Sequence, residues 1–236
     1  ASNVWAGSQT FIIGLFKKTM VADAVSPFVD TVFLTPEYYS SGTVWLAVAA
    51  YTLQIYCDFS GYSDMAIGCA RILGFRLGRN FDTPYLSHNI QDFWRRWHIT
   101  LSNWLRDYLY IPLGGNRRGR MRTHVNLLLT MLLGGLWHGA NWNFVIWGGV
   151  HGLALIAHRL WSEQFTRRQL AGTQARVPGK QARNVLSIAI TLLFVACSSC
   201  SSEGSNPTDV VENALNALER LDEDEFSEYF CKERED

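Results

Sequence analysis

Apolar residues in this chain gather into runs broken by charged, glycine-rich or aromatic-basic stretches, a pattern that predicts helices throughout. Residues 11–34 are apolar but interrupted by Lys17, Lys18, Asp23 and Pro27. That predicts an interfacial or re-entrant helix rather than a straight span. Residues 43–57 read as a membrane span slightly short of the roughly 20 residues a bilayer needs, extendable into residues 58–75. There Gly61, Ser63, Ala66, Gly68 and Ala70 would let another helix approach closely. Asp58 and Asp64 would have to turn inward, as helix-packing or charge-pairing groups.

Residues 79–122 are the least lipid-like part of the first half. A polar loop, RNFDTPYLSHN, leads into IQDFWRRWHITLSNWLRDYLYIPL, which predicts one aromatic-rich helix ended by Pro112, Gly114 and Gly115. On it His98 follows Trp94 by four residues and would share its face. The runs 124–137 and 144–157 predict two further helices, separated by HGANWN and bringing His138 to membrane depth or near it.

After a polar linker (162–184), residues 185–200 hold an apolar run too short for an assured span, and residues 207–236 predict one amphipathic helix. The resulting expectation is an all-α, polytopic membrane helical bundle over residues 1–161, then the linker, the apolar segment, and an acidic tail at 201–236. Ala1–Thr10 has neither an initiator Met nor a secretory signal, so the chain is expected to begin inside a longer protein.

The net charge of zero hides an asymmetry that supports this division. Residues 201–236 hold twelve acidic and three basic side chains, against nine and eighteen in residues 1–200. Nine Trp, nine Tyr and thirteen Phe crowd around the apolar runs and basic residues, as at helix ends anchored in a membrane interface. Because the Arg residues are interleaved with Trp and long apolar stretches, nucleic acid is not an expected partner. Five cysteines form no regular framework, and Cys197 and Cys200 have no second pair or nearby His to complete a zinc site, so no metal is expected.

Ionisable residues in such surroundings are expensive and therefore functional candidates. His98 and His138 stand out, because an imidazole can take or give a proton near neutrality, as acylation of a hydroxyl requires. The plainer alternative is that each satisfies a hydrogen bond within a bundle. In the loop GGNRRGRMR, the arginines' plain meaning is topological, positive charge remaining on the cytoplasmic side.

LWHGANWNF with VIWGGVHGL, the upstream FWRRWHITLSNWLRDYLYIPLGGN, and IYCDFSGYSDMAIGCARILGFRL followed by NFDTPYL together resemble the membrane-bound O-acyltransferase family. The likeness runs from about Phe11 to Trp161 and is greatest to the branch that includes the alginate O-acetylation membrane protein. It implies a multi-pass enzyme of the bacterial inner membrane that moves an acyl group from a cytoplasmic donor, such as acetyl-CoA, to a hydroxyl across the membrane. His138 matches the family's catalytic histidine and His98 its second, upstream one. Asn103, Trp137, Asn141 and Trp142 would line the passage, and Arg117 and Arg118, with Arg120, could attract the donor's phosphates.

The implied partners are membrane lipid and a polysaccharide acceptor or periplasmic acetyl-transfer proteins, with no bound cofactor. Transfer of D-alanine to teichoic acid is the alternative chemistry, and a non-catalytic scaffold the alternative class. Family members are generally longer, so the passage is expected to be open here. The segment NVLSIAITLLFVACSSC departs from the family pattern and resembles a bacterial lipoprotein start, with Cys197 as the lipid-bearing residue; a last membrane helix is the simpler reading.

Overall fold

A computed structural model describes residues 2–35 and 38–170, and everything it describes is helix, turn or loop. The apolar segment at 185–200, Cys197 and the acidic tail lie outside the described residues.

Helix α1 (Ser2–Phe16) passes through a π-helical turn at Lys17–Ala22 into α2 (Asp23–Leu34), with Pro27 in its first turns. Of the residues that interrupt this apolar stretch, Lys17, Lys18 and Asp23 are in ion pairs. Lys17 Nζ lies 2.6 Å from Asp64, and Lys18 Nζ lies 2.6 Å from Asp58 and 2.8 Å from Asp23. Both distant carboxylates come from α3 (Ser41–Ile72), so Asp58 and Asp64 are charge-pairing groups.

The Ser40 hydroxyl accepts the Thr43 N–H at 3.3 Å and starts α3, which continues from the apolar run through the small-residue stretch. Those small residues meet α1 as their pattern predicts. A Cβ on Gly14 would stand 2.5 Å from the Gly61 carbonyl oxygen, and one on Gly7 would stand 2.7 Å from that of Gly68. The two backbones approach too closely there for a side chain on either glycine.

The aromatic stretch departs from its prediction, because it is not one helix. Helix α4 (Ile90–Arg96) is capped by Asn89, whose Oδ1 accepts the Asp92 N–H at 2.8 Å, and α5 (Ile99–Trp104) starts anew. Between them His98 takes a left-handed backbone conformation, φ +43°, uncommon for a non-glycine residue. The break is imposed from outside. The Asn80 carbonyl accepts the Ile99 N–H at 2.9 Å, its side-chain oxygen accepts from Thr100, and the Asp82 N–H donates to the Arg96 carbonyl at 3.0 Å. A π-helical turn at Leu105–Tyr110 then leads into the arginine loop.

Helices α6 (Arg120–Leu136) and α7 (Trp142–Leu170) pack as a pair, α7 running past the predicted apolar stretch into the expected linker. A Cβ on Gly135 would collide with the Phe144 carbonyl and one on Gly148 with that of Met131. Helix α4 leans on α7, with Ile90 and Phe93 buried among Tyr85, Trp94, Trp97, Ala154 and Leu155. No described helix is long and apolar enough to cross a membrane. The expected spans are interrupted by Asp58 and Asp64 in α3 and opened by Arg120 and Arg122 in α6.

Candidate active site

The helix break at His98 and the turn carrying His138 open onto one cavity of about 170 Å³. Its walls come from α3 (Phe59), the α4–α5 junction (Trp94, Trp97, His98) and the start of α7 (Phe144, Trp147). The wall is aromatic, and its polar groups are chiefly three imidazoles: His98, His138 and His151.

His98 caps α5 with its own ring. Its Nδ1 accepts the Leu101 N–H at 3.4 Å and lies 3.4 Å from the Thr100 hydroxyl. A ring whose Nδ1 accepts carries its proton on Nε2, which makes the neutral His98 a donor there. The ring packs edge-on against Phe59 at 4.8 Å and Trp137 at 5.9 Å, centroid to centroid.

His138 follows α6 in a turn whose N–H donates to the Gly135 carbonyl at 2.9 Å. Its ring stacks on Phe144 at 5.6 Å and meets the edges of Trp137 at 5.0 Å and Trp147 at 5.3 Å. The residue as a whole stays solvent-accessible, which places it at the cavity mouth.

Both histidines sit at breaks between helices, and both resist protonation. Burial, and then the proximity of His138, pushes His98 down to about 4. Desolvation by its aromatic neighbours lowers His138 as well, an effect its exposed side limits. At neutral pH both rings are uncharged, one placed as donor and the other free to accept.

The remaining predicted residues divide. Trp137 touches both histidines, although 59% of its surface is exposed. Asn103, on α5, and Trp142, at the start of α7, are exposed and do not line the cavity. Asn141 serves its own helix, its Oδ1 accepting the Asn143 N–H at 2.9 Å. Arg117 and Arg118 lie exposed in the loop outside the cavity wall. That loop is pinned by Asn126 Nδ2, which donates to the Gly115 carbonyl at 3.1 Å, and by Arg159, which donates to Asn116 at 3.1 Å.

His151 was not singled out by its sequence context. It is 1% exposed, lies 4.4 Å from the Trp147 ring and 5.4 Å from that of Trp94, and lines the cavity. The available signal was the i, i+3, i+7 spacing of Phe144, Trp147 and His151, which places them along one face of α7.

The sequence model of the membrane-bound O-acyltransferase family matches residues 2–200. The chain belongs to that family. The match carries through the linker and apolar segment to residue 200.

Among curated relatives, the chain is 56% identical over 153 residues to the "Probable alginate O-acetylase AlgI" of Azotobacter vinelandii, covering 65% of this chain and 30% of that protein. It is 51% identical over 160 residues to the "Peptidoglycan O-acetyltransferase" of Helicobacter pylori, covering 68% and 30%. The "Teichoic acid D-alanyltransferase" of Bacillus subtilis is more distant, 26% identical over 207 residues, covering 83% and 50%. The chain thus spans under a third of the length of the first two relatives.

Proposed function

We propose that this chain supplies the reactive centre of a membrane O-acetyltransferase that esterifies polysaccharide hydroxyls. The observation that carries the proposal is the convergence of His98 and His138 on one aromatic cavity, with His98 Nδ1 engaged by the Leu101 N–H. His138 removes the acceptor's hydroxyl proton as the oxygen attacks the donor's carbonyl carbon. His98 Nε2–H donates to the carbonyl oxygen as negative charge develops on it. The bond to the donor's leaving group then breaks, and the proton held by His138 is returned to that group.

The alginate and peptidoglycan acetylases among the relatives support acetyl transfer to a glycan, with alginate the first acceptor to try. The cavity wall supports acetyl over D-alanyl, because among the described residues no carboxylate lines it. The ammonium of a D-alanyl group would be desolvated there without a counter-charge.

The reading places the chain in the bacterial inner membrane as part of a multi-pass bundle, with lipid, the acceptor glycan and periplasmic acetyl-transfer proteins as partners. Exposed apolar residues on α1 (Ile12, Ile13, Phe16) and α3 (Trp45, Leu46) support an apolar environment around those helices. Acetyl-CoA is the proposed donor, with Arg117 and Arg118 available to its phosphates.

The test is incubation of membranes carrying the chain with radiolabelled acetyl-CoA or D-alanine precursors. Base-labile acetyl label in the glycan fraction, with no D-alanyl label, is the expected result. D-alanyl label, or no acetyl ester, overturns it.

A further inference from the structure

We propose that Trp147 sets the length of the acyl group this site transfers, an inference that rests on the acyltransferase reading above. Phe144, Trp147 and His151 lie along one face of α7, and seven residues of helix rise about 10 Å. The cavity therefore has a reactive end, at His138 and Phe144, and a far end, at His151 and Trp94.

Trp147 stands between these ends. Its indole meets the His138 ring edge-on at 5.3 Å and 78°, and the His151 ring at 4.4 Å and 46°. Trp94 meets it edge-on at 5.7 Å and also lies 5.4 Å from the His151 ring. The indole is thus in contact with three rings. An acyl group bound with its carbonyl at His138 and its tail directed along α7 runs into this indole.

The cavity of about 170 Å³ must take both the acyl group and the thioester end of its donor. A tail lengthened along α7 presses against the indole. Replacing the indole with a smaller side chain adds that volume to the reactive end, bordered by the Trp94 ring and the His151 imidazole. Each methylene then buried favours the longer acyl group by about fourfold, so two methylenes favour butyryl over acetyl by roughly fifteenfold.

The experiment compares acetyl-, propionyl- and butyryl-CoA as donors for the chain in membranes, as wild type, Trp147→Phe, Trp147→Leu and a control, Trp161→Leu. Trp161 is exposed on α7 and lies outside the cavity wall. The quantity read is the butyryl-to-acetyl ratio of kcat/KM, which is independent of how much of each variant folds.

Wild type and Trp161→Leu should favour acetyl, with the ratio raised at least tenfold in Trp147→Leu and by less in Trp147→Phe. An unchanged ratio in an active Trp147→Leu overturns the proposal. Should Trp147→Leu be inert, the ratio in Trp147→Phe decides; loss of all transfer in both variants assigns Trp147 to the chemistry rather than to length and also overturns it. A wild type inert with all three donors is a different failure, that of the acyltransferase reading with this donor.

Discussion

The His98 ring stands edge-on to the Trp137 indole, 5.9 Å between centroids, and Trp137 also lies edge-on to its chain neighbour His138 at 5.0 Å. One side chain thereby fixes the spacing of two imidazoles carried by different elements, the α4–α5 break and the α6–α7 turn. Trp137→Phe retains a ring for both and should keep most activity. Trp137→Ala should lower kcat by about 10- to 100-fold with little change in thermal stability, because a shift near 1 Å in reacting groups costs on that order. Steady-state kinetics beside a melting curve would check this; equal kcat in both variants would remove Trp137 from the arrangement.

The contact of α1 with α3 makes a stability prediction. A methyl group on Gly14 meets backbone atoms, 2.5 Å from the Gly61 carbonyl and 2.8 Å from the Met65 nitrogen, and backbone cannot yield cheaply. Gly14→Ala should cost about 1–3 kcal/mol. Gly78→Ala, with nothing within 4 Å, should stay within about 0.5 kcal/mol. Denaturation of the detergent-solubilised protein measures both.

The lysine pair in the π-helical turn predicts an order of sensitivity. Asp58→Asn leaves Lys18 with Asp23, 2.8 Å away, and should cost under about 1 kcal/mol. Asp64→Asn removes the carboxylate 2.6 Å from Lys17 and should cost about 1–2 kcal/mol. The same unfolding measurement reads the order, and an equal or reversed order would contradict the pairing.

The titration of the two histidines sets a pH dependence. Both lie below the ordinary histidine value, so each stays neutral as pH falls past 6.5, and the base form of His138 persists. The acid limb of kcat/KM should therefore fall below pH 6.5, with a plateau through neutrality. A limb at or above 6.5 in a pH–rate profile would show that the aromatic neighbours do not desolvate the base.

Much of this was legible in the residues, and the exceptions have physical causes. The glycine and serine spacing of 58–75 announced a close helix contact, since small side chains at helical spacing leave no other use for that face. His98 and His138 stood out because ionisable groups beside long apolar runs are costly. The helix break at Trp97–His98 was hidden because the apolar periodicity of 90–111 continues through it without a Gly or Pro. Its cause is Asn80, some twenty residues away, which captures the Ile99 and Thr100 amides.

The partners of Lys17 and Lys18 were hidden for the same reason, because Asp64 and Asp58 arrive from a helix forty or more residues on. His151 was concealed inside an apolar run, where only the neighbouring rings of other elements give it a place in the cavity.

Whether His138 is the base is read from single-turnover acetyl transfer by His138→Ala. General-base catalysis contributes about 10²- to 10⁴-fold, so the variant should be slowed by at least 100-fold while remaining folded and donor-bound. His138→Ala turning over within a few-fold of wild type would contradict that role.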